Sequence, residues 1–300
     1  MRHAHVTLPL NMTSPSALEK NYAENADNYN QFSKTSLGQL EQQLFGICIN
    51  YKDFNGLDVL DLGTGTGLRA RDALNAGARH VDAVDISPEM INIGMEHERS
   101  TNRKKITWHV ADVSKPLDHL GLKQYDWVIA NGIFDHATDA KGFERMWYNC
   151  AKYLKPDGRL IANRNHPRAS TAVKDKYGVR FDNFQCFADG FSFDYHITSQ
   201  PPMTFKSFAI GAYYAKNFEI PKKYFYHFRQ VPFSETKTVK ECPHYWNDYV
   251  KDPILYIYTA RKRDGVVELE DVRDGTDQRA AQRQDDEQDA PELWVSDHLD

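Results

Sequence analysis

Val59-Leu60-Asp61-Leu62-Gly63-Thr64-Gly65-Thr66-Gly67 decides the architecture of this chain. A short apolar run ends in a carboxylate, three glycines follow at alternate positions, and Leu68 to Ala76 reads as a helix. This is the pattern of a buried parallel strand, a tight turn and a helix N-terminus. Glycine lets the backbone approach a ligand closely, and a bare turn leaves the first helical N–H groups free for an anion. Such a turn serves either a dinucleotide pyrophosphate or the amino-acid end of S-adenosylmethionine. The dinucleotide spacing G-x-G-x-x-G puts its third glycine where Leu68 stands. The third glycine here is Gly67, and the Asp61 carboxylate suits an ammonium group and repels a pyrophosphate.

Outward from this turn the chain alternates strand and helix, which implies a parallel sheet covered on both faces. Strand 57–61 is followed by His80–Asp85, Ile106–Val110, Asp126–Ala130 and Arg159–Asn163, with Lys155-Pro156-Asp157-Gly158 as the turn into the fifth. Ser87-Pro88 gives an N-cap and first-turn proline. Asp85 and Asp112 stand at the ends of the second and third strands. A carboxylate in the first of these places can accept from both hydroxyls of a ribose, and one in the second can accept from an adenine amino group. Leu37, Leu40, Leu44, Phe45, Cys48 and Ile49 recur at helical spacing, so residues 1–55 form a helical N-terminal segment, with Ser14-Pro15 as an earlier cap. Pro253 to Arg261 reads as the seventh strand; the sixth is only weakly marked between Gly211 and Gln230.

Composition bounds the class. Of 300 residues, 41% are hydrophobic and 26% charged, the proportions of a folded globular protein. No apolar run reaches membrane-spanning length and Met1-Arg2-His3-Ala4-His5 lacks a signal-peptide core, so membrane insertion is not expected and a cytoplasmic location is. Cys48, Cys150, Cys186 and Cys242 form no C-x-x-C pair and read as reduced core thiols, with no metal site expected. The net charge of −5 is unevenly placed: residues 264–300 hold 13 acidic and 3 basic residues, leaving the rest mildly basic. This tail reads as disordered. A folded part without a basic stripe argues against nucleic acid as a partner.

The stretches VLDLGTGTG, VDAVDISPEM, ITWHVADV, YDWVIANGIFDHA and YLKPDGRLIAN, within residues 57–165, resemble class I S-adenosylmethionine-dependent methyltransferases. Tyr22, Tyr29 and the stretch from Trp246 to Tyr258 look most like the toxoflavin-synthase-like and ubiquinone/menaquinone-biosynthesis enzymes. The resemblance implies an α/β, Rossmann-like, mostly parallel seven-stranded sheet with helices on both faces, a helical N-terminal lid over residues 1–55, and a methyltransferase domain over 56–263 with a cap insertion at about 166–235. It implies S-adenosyl-L-methionine as cofactor. Asp61, Gly63, Thr64, Gly65 and Gly67 would hold its methionine end, Asp85 its ribose, Ile86 and Met90 the adenine face, and Asp112 and Val113 the adenine edge. Asn131 would place a carbonyl near the sulfonium, and Tyr22 and Tyr29 would close over it.

The acceptor is read from what remains. Tyr177 to Phe228 holds 16 Phe and Tyr residues in 52 positions, enough for an aromatic wall that suits a small aromatic or heteroaromatic metabolite, as in secondary metabolism. The same residues also suit the core of a cap. His136 and His166 follow strands four and five and are the candidate bases. Asn163 and Asn165 argue against metal-assisted transfer. A dinucleotide oxidoreductase lacks the right glycine spacing here, and a nucleic-acid methyltransferase needs a Pro-Pro motif that Asn131-Gly132-Ile133-Phe134 does not offer. A non-catalytic S-adenosylmethionine-binding regulator is the remaining alternative.

Overall fold

The protein's computed structural model describes residues 32–50, 54–188, 190–198, 200, 202–214, 218–265 and 269. Tyr22, Tyr29, the Ser14-Pro15 cap and the tail beyond residue 269 lie outside the described residues. Helix α1 (Ser36–Asn50) leads into β1 (Asp58–Leu62), α2 (Leu68–Asn75), β2 (His80–Asp85), α3 (Pro88–Arg99), β3 (Ile106–Val110) and β4 (Tyr125–Ala130). Then follow α4 (Ala140–Lys152), β5 (Leu154–Asn165), β6 (Val179–Phe187), β7 (Gly190–Ile197) and β8 (Met203–Ile210). The described chain closes with α5 (Glu219–Tyr224), β9 (Phe225–Gln230), α6 (Lys237–Glu241), α7 (Pro243–Lys251) and β10 (Leu255–Lys262).

Seven strands form one sheet in the order β3-β2-β1-β4-β5-β10-β9. The five strands from β3 to β5 are parallel, while β10 runs antiparallel to both β5 and β9. Consecutive residues of β1 serve opposite faces: Val59 joins a core cluster with Leu40, Leu44 and Ala73, and Leu60 joins another with Met146, Trp147 and Phe225. A strand buried on both sides explains the unbroken apolar run of the sequence. In α3, Ser87 Oγ accepts from Met90 N at 3.2 Å, the cap expected of Ser-Pro. The reversal of strand order lies between β1 and β4, so the crevice at their carboxyl ends is where this fold binds ligands.

Three expectations are corrected, and the weakly marked sixth strand is located. Lys155-Pro156-Asp157-Gly158 is not the turn before β5 but a bulge within it. Tyr125 pairs with Leu154 and Trp127 with Arg159, so six residues face three, and the excess loops out with Asp157 at φ 60°. The sixth strand is Phe225–Gln230, at the sheet edge. The aromatic-rich span is divided between two places. β6, β7 and β8 form a separate three-stranded sheet, whereas Phe225 and Phe228 pack edge-on against Trp147 in the core of the main one. Finally, only Cys48 and Cys150 are buried; Cys186 and Cys242 are exposed free thiols. Spacing cannot tell a strand's buried face from its open one until register is set.

The antiparallel strand β10 enters the sheet through a buried phenol. Tyr249 Oη donates to Leu255 O at 2.7 Å and accepts from Leu255 N at 3.0 Å, and its side chain is fully buried among Tyr177, Phe233 and Trp246. Tyr249→Phe therefore leaves buried backbone groups with a lost partner. Urea denaturation is expected to show a loss of about 1–3 kcal/mol with the native circular dichroism retained.

Candidate active site

The glycine turn is built by backbone geometry first. Gly63 N and Thr64 N donate to Val84 O at 2.8 and 3.0 Å, which ties the turn to the end of β2. Gly63 and Gly67 have φ of 71° and 81°. A Cβ at Gly63 would stand 2.2 Å from Ile133 Cγ2, and one at Gly67 would stand 2.3 Å from the Trp108 ring. Both positions thus need glycine for conformation and for space. Around Gly65 a Cβ would meet nothing within 4 Å, so the middle of the turn faces open space.

Two carboxylates face this turn. Asp61 is buried and accepts from Thr64 Oγ1 at 2.6 Å; burial raises its pKa to about 7. Asp85 accepts from Gly65 N at 2.7 Å through one oxygen and from Ser87 N at 2.9 Å through the other. Burial raises its pKa as well, against those hydrogen bonds. Asp85 therefore shapes the turn from the end of β2. Ile86 is half-buried beside it and Met90 is buried on α3. Asp112 and Val113 are half-buried after β3, with Asp112 Oδ1 accepting from Ser114 N and Oγ at 2.8 and 2.7 Å.

Opposite, the loop after β4 carries Asn131, whose backbone oxygen lies 4.0 Å from a Cβ built on Gly63. Asn131 Nδ2 donates to Glu41 Oε1 at 2.7 Å, and its buried Oδ1 has no hydrogen-bond partner among the described residues. Glu41, on α1, also pairs with the buried Arg69 of α2 at 3.0 Å, and Arg69 stacks over Phe45. Gly132 N donates to Asn163 Oδ1 at 2.6 Å, and Asn165 Nδ2 donates to Asp135 Oδ2. Glu41, Arg69, Asp135, Asn163 and Asn165 are structural members of the site that the sequence did not single out as binding residues. One signal was present: Glu41 interrupts the apolar face of α1 between Leu40 and Leu44.

The two histidines are held differently. His136 ends the 3-10 turn Phe134–His136 and burial lowers its pKa to about 4, so its imidazole is neutral at pH 7. That turn lies against β8, which brings the small sheet to the loop after β4. His166 N donates to Ile254 O at 2.6 Å and its ring stands 3.7 Å from Asp252, toward the β10 side of β5; burial lowers its pKa too. The structure thus joins Asp61, the turn, Asp85 and Asn131 directly, brings His136 to the adjoining loop, and turns His166 toward Asp252. Among the described residues, Asp182, Asp194 and His196 on the small sheet have the spacing of metal ligands, but Arg180 pairs with Asp182 and Asn183 Nδ2 donates to Asp194. Cavities of about 460 and 310 Å³ open at the other end of the sheet, away from the turn.

The raised pKa of Asp61 fixes a stability trend. Between the unperturbed value of 3.8 and about 7, the folded chain keeps a proton that the unfolded chain has released. The unfolded state then binds fewer protons, so this group's contribution falls as pH rises to about 7 and is flat above it. Asp61→Asn removes the trend. Urea denaturation at a series of pH values is expected to show the variant gaining on the parent between pH 4 and 7, by at most about 4 kcal/mol.

The fold agrees with known proteins. A methyltransferase-domain family model matches residues 59–158. Demethylmenaquinone methyltransferase of Tropheryma whipplei is 32% identical over 127 residues, 42% of this chain and 49% of that protein. The chain spans about half the length of that curated relative. The CcbJ methyltransferase of Streptomyces caelestis superposes with a TM-score of 0.55 at 15% identity, covering 80% of this chain and 96% of that one. The 1,6-didemethyltoxoflavin-N1-methyltransferase of Burkholderia thailandensis does so at 0.50 and 17%, covering 87% and 95%. These likenesses are of fold, while the domain match falls on the strands and the turn that build the site. Over residues 59–158 the chain is similar to the methyltransferase-domain family, and its fold is that of S-adenosylmethionine-dependent methyltransferases.

Proposed function

We propose that the protein binds S-adenosylmethionine in the crevice between β1 and β4 and methylates a small aromatic or heteroaromatic metabolite. The carrying observation is the pairing of a glycine turn open at Gly65 with two buried carboxylates of raised pKa, Asp61 and Asp85. Buried acids held in this way gain by meeting an ammonium group and a pair of hydroxyls. The unpaired Asn131 Oδ1 is a further buried acceptor awaiting a donor. These residues fit the cofactor: Asp61 and the Gly63–Gly67 turn would hold its amino-acid end, Asp85 its ribose, Asp112 and Val113 its adenine edge, and Asn131 the region of its sulfur. When bound, the cofactor supplies an electrophilic methyl group on a positively charged sulfur.

The chain's own contribution is positioning. An acceptor atom must sit in line with the methyl at about 3–3.5 Å, and such placement can supply roughly 7–11 kcal/mol of the barrier. The acceptor side is walled by the His136 turn, by β8 and by β5, where Asn165 fixes Asp135. Neutral His136 can take a proton from a hydroxyl or ring N–H acceptor; an acceptor with a free lone pair needs no base. The aromatic wall is narrower than the sequence suggests. Phe181, Phe191 and Phe193 are buried in the core, while Phe187 and Phe208 are half-buried with ring centroids 6.3 Å apart. Phe208 is thus the better candidate for touching an acceptor.

Calorimetry is expected to show S-adenosylhomocysteine binding in the micromolar range, about −8 kcal/mol, and no comparable binding of NAD. Asp85→Ala should lose roughly 1.5–3 kcal/mol per lost charged hydrogen bond. Preferential NAD binding would overturn the reading.

Methylation of a metabolite extract with labelled cofactor identifies the acceptor, and a cofactor-binding chain that methylates nothing would favour the regulator alternative. With the acceptor in hand, Phe208→Ala is expected to raise its KM while sparing cofactor affinity. Phe193→Ala should instead cost about 3–5 kcal/mol of stability.

A further inference from the structure

A second charged surface lies at the end of the sheet remote from the cofactor crevice. Arg159 on β5 stands directly opposite Arg261 on β10, and Thr259, two residues before Arg261, stands opposite Arg229 on β9. The three arginines therefore share one face of three neighbouring strands. They line a cavity of about 310 Å³ together with His227 and Thr259, and no carboxylate lines it. Among the described residues none of the three arginines forms an ion pair with an acid; Arg159 instead lies over the Trp127 ring. Burial and the neighbouring Arg261 both work against the Arg159 cation. Like charges directly opposite in adjacent strands are destabilising. A sheet edge that keeps three of them on one face needs an anionic counterpart.

The counterpart is in the same chain. β10 ends at Lys262, one residue past Arg261, and the acidic segment starts at Asp264. Leu269 packs back on the core cluster of Trp147 and Phe225, so the chain turns onto the body of the protein after β10. From there the tail needs only to round β9, which is the edge strand. At about 3.3–3.6 Å per extended residue, ten residues span several strand spacings of about 4.8 Å. The densest run of charge, Asp285-Asp286-Glu287-Gln288-Asp289, begins beyond that distance.

We propose that the tail segment Asp285–Asp289 docks in cis on the Arg159–Arg229–Arg261 face and acts as its built-in counterion. The docking neutralises a cationic face that would otherwise collect polyanions, and it covers the open β9 edge. It is independent of the methyl-transfer reading, because it involves the opposite end of the sheet.

Limited trypsin digestion of the full chain tests it, since Arg279 and Arg283 lie just before the docking run. At low salt, release of the Trp294-bearing fragment should be at least about threefold slower in the parent than in Arg229→Gln/Arg261→Gln, because cleavage follows the undocked population. The tail sequence is identical in the two chains, so the difference reports docking alone. Thermal melting and S-adenosylhomocysteine affinity should match the parent. If the double variant folds poorly, the exposed Arg229→Gln alone is expected to move release in the same direction. Equal release rates in well-folded chains overturn the proposal. Protection that grows with protein concentration also overturns it, in favour of the tail of a second copy.

Discussion

The site depends on one constraint: the chain must turn back between β1 and α2 within five residues while keeping the space beside Gly65 open. Hydrogen bonds from Gly63 and Thr64 to Val84 O, and from Gly65 to Asp85, tie this turn to the neighbouring strand. Charge-assisted bonds to a buried carboxylate are stronger than neutral ones, and Asp85 spends one oxygen on the turn and the other on the start of α3. The same carboxylate thus orders two ligand-facing segments before any ligand arrives. Preorganisation of this kind lowers the cost of binding.

A second constraint links the N-terminal helix to the crevice. Glu41 is buried, so it needs partners, and it finds them in Arg69 on α2 and Asn131 after β4. A buried ion pair adds little net stability but is costly to break. Its consequence here is geometric. Removing Glu41 would leave Arg69 with Asp72 as its one acidic partner among the described residues and release the amide of Asn131, so α1 is part of the site's scaffold. Asn163 plays the matching role from β5 by holding Gly132 N. The crevice is therefore framed by α1, β4 and β5 as well as by the turn.

The small sheet of β6, β7 and β8 shows how one composition serves two purposes. Phe181 stacks on Tyr195 with centroids 4.7 Å apart and packs with Phe193 in the core, while β8 runs on to the His136 turn. An insertion that buries one aromatic face in the domain can bring its remaining rings to the His136 turn without a core of its own. Tyr177, at its base, stacks on Trp246 with centroids 5.0 Å apart and joins the insertion to α7.

The sequence by itself determined the parallel strands from β1 to β5, the glycine turn, and Asp61, Asp85 and Asp112 at three successive strand ends. These follow from local rules: apolar runs, turn residues and caps act over a few positions and are written consecutively. Local pattern did not reveal the bulge in β5, because that bulge exists only where Trp127 and Arg159 pair. Nor did it place β9 beside β10 at the edge or separate Phe225 from Phe208, since both are aromatic residues in alternating strands. Glu41 and Arg69 are 28 positions apart, and Arg159 and Arg261 are further apart still. The sequence marks each as a charge, but only the folded sheet brings one pair together as opposites and sets the other side by side as like charges. Burial then decides the chemistry: it raises the pKa of Asp61, keeps His136 neutral, and gives Asn131 an acceptor without a donor.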